Sequence, residues 1–210
     1  GQKAVPAPET KISKTNVLVL NDKKNCFNCD TQRVLGILES WFGSLNLREI
    51  DYNTDEGRSV ASKFDAKLLP LYVLDLNITK KQSFSQFKQV FARKDDAYVL
   101  NDNTAGSAFY FKRENIPNKL DLFVRPGDDS SIKAEKNLDE FLHLFKDIKF
   151  ERHLPADNLT KALDIKAFPA FLVNNRVRFA GVHSADTIKG NFCKLNKLSE
   201  CNISLSKSLI

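Results

Sequence analysis

The sequence predicts an α/β fold of two consecutive units, each a mixed central sheet flanked by helices. Three observations carry that expectation. An apolar run at residues 17–20 passes through a short polar loop into a helical stripe, with Val34, Leu35, Leu38, Trp41 and Phe42 on one face. The order strand, helix, strand, helix, proline-led strand then occurs twice, before and after a polar stretch at residues 113–119. Each round closes on an apolar run with proline near its start, Pro70 in the first and Pro169 in the second. A chain of 210 residues is long enough for two such units.

The first unit is assigned to residues 15–112. A second strand is expected at residues 47–52, and Thr54, followed by Asp55 and Glu56, caps a helix carrying Val60, Ala61 and Phe64. Residues 68–74 form the proline-led strand. Phe84, Phe87, Val90 and Phe91 recur at helical spacing, which predicts a helix over residues 82–94. Residues 97–100 and 107–111 are β-rich, and Asn101-Asp102-Asn103-Thr104-Ala105-Gly106 between them is a turn signal. They are expected as the closing strands of the unit. Residues 1–14 hold Pro6, Pro8 and several lysines without an apolar period, and read as a flexible tether.

The polar stretch 113–119 reads as a linker, and the second unit takes residues 120–210. Residues 120–124 make its first strand, and Arg125-Pro126-Gly127-Asp128-Asp129 is the loop after it. A helix with Leu138, Phe141, Leu142 and Phe145 on one face follows, then a strand at 148–152 and a short helix at 157–163. The proline-led strand at 167–173 turns at Asn174-Asn175 into residues 176–180, a hairpin signal. A last helix is expected around residues 185–195.

The chemistry is concentrated in Asn21-Asp22-Lys23-Lys24-Asn25-Cys26-Phe27-Asn28-Cys29-Asp30. A Cys-x-x-Cys pair opening a helix suits thiol exchange. Free N–H groups and the helix dipole favour a thiolate on Cys26, and Cys29, one turn on, is in reach to resolve a disulfide. Only a thiolate attacks a disulfide, so placement sets reactivity. Asp22 and Lys24 lie close enough in sequence to act on the thiol proton, and Asp30 slightly opposes a thiolate. The same spacing also serves half a zinc site or a purely structural bridge. Zinc needs two further ligands; Cys193 and Cys201 have the wrong spacing and lie in the other unit, so no metal is expected. His143, His153 and His183 are scattered, and surface or hydrogen-bonding roles are expected of them. Cys193 and Cys201 read as a structural disulfide pinning the C-terminal segment, worth about 2–3 kcal/mol for so small a loop. A second redox pair or free thiols are the alternatives.

Taken together, Cys26-Phe27-Asn28-Cys29 and the two proline-led strands resemble the thioredoxin superfamily, over roughly residues 15 to 195. The resemblance implies a cis Leu69-Pro70 bond facing the Cys26 sulfur and shaping a substrate groove, with Phe168-Pro169 as its counterpart. The tandem order resembles exported bacterial and archaeal two-domain proteins whose second half can be DsbA-like. Leu120-Asp121-Leu122-Phe123-Val124 matches the strand that precedes the cysteines there, yet Pro126-Gly127-Asp128-Asp129 stands in their place. The second unit therefore has the scaffold without the thiols. The resemblance gives it a role in binding substrate or a redox partner, or in dimerisation. Phe27-Asn28 also departs from the Gly-Pro of the best-known thioredoxin.

The net charge of +6 is spread along the chain without a basic stripe interleaved with aromatics, so nucleic acid is not an expected partner. No run approaches membrane-spanning length. The chain starts at Gly1 and lacks methionine, and is expected to begin after a removed signal or anchor. Its four cysteines fall into two local pairs, which fits an oxidising compartment. The expectation is a periplasmic or otherwise extracytoplasmic thiol–disulfide oxidoreductase, membrane-tethered through a missing N-terminal segment. It would need no cofactor and act on protein or small thiol/disulfide substrates, with a membrane redox partner and a homodimer as further associations. The rival class is a non-enzymatic binding or assembly module whose Cys26–Cys29 bridge is only structural.

Overall fold

A computed structural model describes Val5 and residues 13–209; the remainder of the tether lies outside the described residues. Two separate mixed sheets, each flanked by helices, form a thioredoxin-like architecture. The first has the order β2-β1-β3-β5-β4, built from β1 (Thr15–Asn21), β2 (Leu45–Asp51), β3 (Leu71–Asp75), β4 (Phe91–Lys94) and β5 (Ala97–Leu100). The interior strand β1, second in that order, is parallel to β2 and antiparallel to β3, and both its faces are covered. Val17 and Val19 enter one apolar cluster and Leu20 another.

Between β1 and β2 runs α1 (Gln32–Phe42), whose Val34, Leu38 and Phe42 recur at i, i+4 and i+8 and are buried on β1. It stops at Gly43, whose φ of +83° suits glycine and whose N–H donates to the Glu39 carbonyl at 2.8 Å. The helix α2 (Asp55–Lys63) starts where the Thr54 hydroxyl accepts from the Gly57 N–H at 3.0 Å. Its first turn lies so close to the end of β2 that a Cβ on Gly57 would stand 2.1 Å from the Asp51 carbonyl oxygen.

Three expectations for the rest of this half are corrected. The helix over residues 82–94 is only α3 (Phe84–Phe87) and a 3-10 turn, after which the chain extends into β4. The helical spacing reflected a real apolar face: Phe87 stacks on Trp41 at 4.1 Å, and Phe91 meets it edge-on at 6.4 Å. The unpaired edge of β5 prevails beyond it. Asp95, at φ +52°, turns β4 back so that Phe91 to Lys94 pair with β5. Next, Asn101–Gly106 is not a plain turn but holds α4 (Asp102–Ala105), capped by Asn101 through the Thr104 N–H at 2.8 Å. Finally, residues 107–111 do not join the first sheet. Phe109 pairs singly with Leu69 on one side and Val177 on the other.

The second sheet has the order β7-β6-β8-β9, from β6 (Lys119–Phe123), β7 (Lys149–His153), β8 (Ala170–Val173) and β9 (Val177–Ala180). Asn174 and Asn175, at φ +52° and +66°, close the β8–β9 hairpin. The helices α5 (Asp129–Leu144) and α7 (Ala185–Leu195) pack on one face through Leu138, Phe141, Ile188 and Phe192. A short α6 (Asn158–Ala162) lies between β7 and β8. On the other face Phe123, Ala170 and Leu172 meet Leu68 and Tyr110 of the first half in a shared buried cluster. The stretch joining the halves is bound to the second one. Arg113 Nη2 donates to Asn175 Oδ1 at 2.5 Å, and Ile116 N–H to the Asn174 carbonyl at 3.1 Å.

Candidate functional site

The loop after β1 is built by side chains. Asn21 Nδ2 donates to the Cys29 carbonyl at 2.9 Å, and the buried Asp22 accepts from the Asn25 N–H at 3.1 Å and its Nδ2 at 2.8 Å. The Cys26 N–H donates to the Asp22 carbonyl at 3.2 Å. Asp30 Oδ1 then takes the Gln32 N–H at 2.8 Å, and only there does α1 begin. The cysteines thus sit in the turn ahead of the helix, not in its first turn. That corrects the helix-dipole argument for Cys26, because the dipole's effect falls off beyond the terminal turn. It also removes the reading of Cys29 as one helical turn deeper.

Cys26 and Cys29 form a disulfide, with Cα atoms 5.6 Å apart and exposures of only 6% and 4%. Leu69–Pro70 is cis, as is Phe168–Pro169. The Leu69 carbonyl lies 3.7 Å from Cys29 Sγ, on the wall of the disulfide. Leu20, Leu69, Leu71, Phe109 and Val177 share the apolar cluster that holds both cysteines. An open cleft of about 270 Å³, rimmed by Lys23, Asp30 and Gln32, reaches the pair. Lys23 is also paired with Glu49 at 3.3 Å.

Sequence reasoning noted Phe27 and Asn28 only as a departure from Gly-Pro and missed what they do. Phe27 packs against the cores of both halves, edge-on to Phe179 at 6.3 Å, with Lys194 Nζ 5.5 Å above its ring. Asn28 Nδ2 donates to the Arg178 carbonyl at 2.9 Å. The motif is thereby docked on β9 and α7. A large aromatic in a polar loop was the one signal available.

Cys193 and Cys201 are bridged, with Cα atoms 5.9 Å apart. Beyond the bridge the tail runs back to the start of α7, where Asp186 Oδ1 accepts from the Leu205 N–H at 3.1 Å. That bond, with the nearby Lys189 ammonium, holds the Asp186 carboxyl below its usual range.

One ionisable cluster lies away from the cysteines. Asp121 is fully buried and hydrogen-bonded to His153 Nε2 at 2.7 Å, while His153 stacks on Phe123. Burial pushes the Asp121 carboxyl above its ordinary value, against the opposing pull of His153 and Lys119. The ligand atoms of Asp121, Glu151 and His153 lie within 4.8 Å of one another, a spacing that could hold a cation. Lys119 Nζ is 3.6 Å from Asp121 and 3.7 Å from Glu151, so an ammonium already balances both carboxylates.

No family model and no curated protein matches the chain. Among solved structures, a chain described as "Crystal structure of ERdj5 form I" aligns at 10% identity with a TM-score of 0.26. The alignment covers 90% of this chain and 28% of that one. So distant a likeness carries no argument, and the thioredoxin-like architecture stands on the two sheets and their strand order.

Proposed function

We propose that the protein is a thiol–disulfide oxidoreductase whose working pair is Cys26 and Cys29. The observation that supports this reading is a closed Cys-x-x-Cys disulfide in the loop after the interior strand β1, walled by the Leu69–Pro70 loop and reached by a cleft. An incoming thiolate attacks Cys26 Sγ and breaks its bond to Cys29, whose sulfur leaves with the electron pair and takes a proton. A second thiolate attacks the incoming sulfur in the mixed disulfide and leaves the dithiol protein. Run backwards, the dithiol reduces a disulfide, with Cys26 attacking and Cys29 resolving. Cys26 takes the outer role because the Cys29 sulfur rests against the Leu69 carbonyl.

In this proposal the chain is a tandem of thioredoxin-like units at residues 15–112 and 120–210. The second lacks redox cysteines and seats the motif through Arg178 and Phe179. An extracytoplasmic site of action is supported by two closed cysteine pairs, since disulfides persist in oxidising compartments. No helix among the described residues is long and apolar enough to cross a membrane.

The rival reading, a binding module with a structural bridge, is favoured by the near-complete burial of both cysteines. Trapping separates the two. Cys29→Ser should accumulate a Cys26-linked adduct with glutathione disulfide on non-reducing electrophoresis and mass spectrometry, and Cys26→Ser should accumulate none. Absence of any adduct with Cys29→Ser would transfer the assignment to the structural bridge.

A further inference from the structure

We propose that the Cys26–Cys29 site exchanges with low-molecular-weight thiols and disulfides and excludes extended polypeptides, because the chain's own residues 107–111 occupy the backbone edge beside the sulfurs. The inference rests on the redox reading above and names its substrate class.

An extended polypeptide held beside a buried disulfide needs backbone partners, as in strand addition to an open edge. The backbone against the sulfurs belongs to Leu69, whose carbonyl is 3.7 Å from Cys29 Sγ. Both its polar groups are already taken. The Leu69 N–H donates to the Phe109 carbonyl at 3.0 Å, and the Leu69 carbonyl accepts from Ala108 and Phe109 at 2.8 and 3.1 Å. The occupying segment is itself locked from its far side. Arg178 N–H and Nε donate to the Ala108 and Ser107 carbonyls, each at 2.9 Å, and Tyr110 N–H donates to the Arg176 carbonyl at 2.8 Å. Ser107 Oγ donates to the Pro70 carbonyl at 2.6 Å, and Phe109 is 1% exposed. A client would have to displace this segment to pair at Leu69.

The docked Phe27 and Asn28 restrict the approach from the second half. A shallow, open cleft of about 270 Å³, rimmed by Lys23, Asp30 and Gln32, leads to the pair. That space suits a small thiol with polar groups. The exchange balances as written above: two small thiolates become one small disulfide, and the protein gains two electrons and two protons.

The test compares two reductants with the full oxidised chain at equal thiolate concentration, glutathione and reduced, unfolded ribonuclease A. Acid quenching, alkylation and mass spectrometry follow the release of Cys26 and Cys29. One net backbone hydrogen bond is worth about fivefold, so a polypeptide denied two bonds at Leu69 forgoes about 30-fold relative to one that pairs there, and should react more slowly than glutathione, which needs no backbone pairing. Arg178→Ala, which loosens the locked segment, should narrow that ratio. Equal rates with both reductants would overturn this inference and leave the redox reading standing. Failure of both reductants to open Cys26–Cys29 in the folded chain would overturn the redox reading itself.

Discussion

Replacing Phe109 with alanine removes the side chain that stands between the two halves. Its ring is 1% exposed, packs in the cluster containing Cys26 and Cys29, and carries the Arg176 guanidinium 4.8 Å above it. A fully buried phenylalanine cut to alanine costs about 3–5 kcal/mol, from lost apolar transfer and the cavity left behind. Here the cavity is hard to collapse, because the Phe109 backbone is pinned to Leu69 on one side and bridged to Val177 on the other. Losing the cation–π contact adds about 0.5–1 kcal/mol. We therefore expect a loss of about 4 kcal/mol in urea denaturation followed by tryptophan fluorescence and far-UV circular dichroism. The denaturation slope should change little if the variant still unfolds as one unit. A loss below about 1 kcal/mol would refute the reasoning, because it is the size expected at an exposed connection, not in a shared core.

Two further outcomes follow from the second half. Replacing Cys193 and Cys201 together by serine should lower stability by about 2–3 kcal/mol, while glutathione exchange at Cys26–Cys29 stays within twofold of the parent. A changed exchange rate with unchanged stability would make the C-terminal pair a redox site. Burial raises the Asp121 carboxyl above its ordinary value of 3.8, so the folded protein holds this proton more tightly than the unfolded chain. Its contribution is complete below pH 3.8 and is lost as pH rises through the raised folded value. Asp121→Asn removes that downward slope, and the variant's stability relative to the parent should climb with pH from about 4 upward in denaturant titrations. Parallel curves would show that the carboxyl titrates alike in both states.

Much of this architecture was legible because its signals are local. The α1 stripe, the Thr54 cap, the Asn174-Asn175 hairpin and the phenylalanine face of α5 each rest on periodicity or turn chemistry within a dozen residues. The failures share a different physical origin. Where α1 begins is decided by Asn21, Asp22 and Asp30, whose side chains satisfy the loop's backbone groups and so postpone the helix to Gln32. The strand β4 exists because β5 has an edge to pair, which no window over residues 82–94 contains. Residues 107–111 carry an ordinary strand composition, yet their partners, Leu69 and Val177, lie far apart in sequence. The same non-locality hid the docking of Phe27 and Asn28 on β9, which makes the second half part of the candidate site.

The most direct measurement of the central claim is the equilibrium of the folded protein in glutathione redox buffers, read by alkylation and mass spectrometry of each cysteine pair. The account predicts that Cys26–Cys29 opens and closes reversibly with the buffer ratio while circular dichroism stays native and Cys193–Cys201 remains bridged. A Cys26–Cys29 bond that yields only together with unfolding would contradict it.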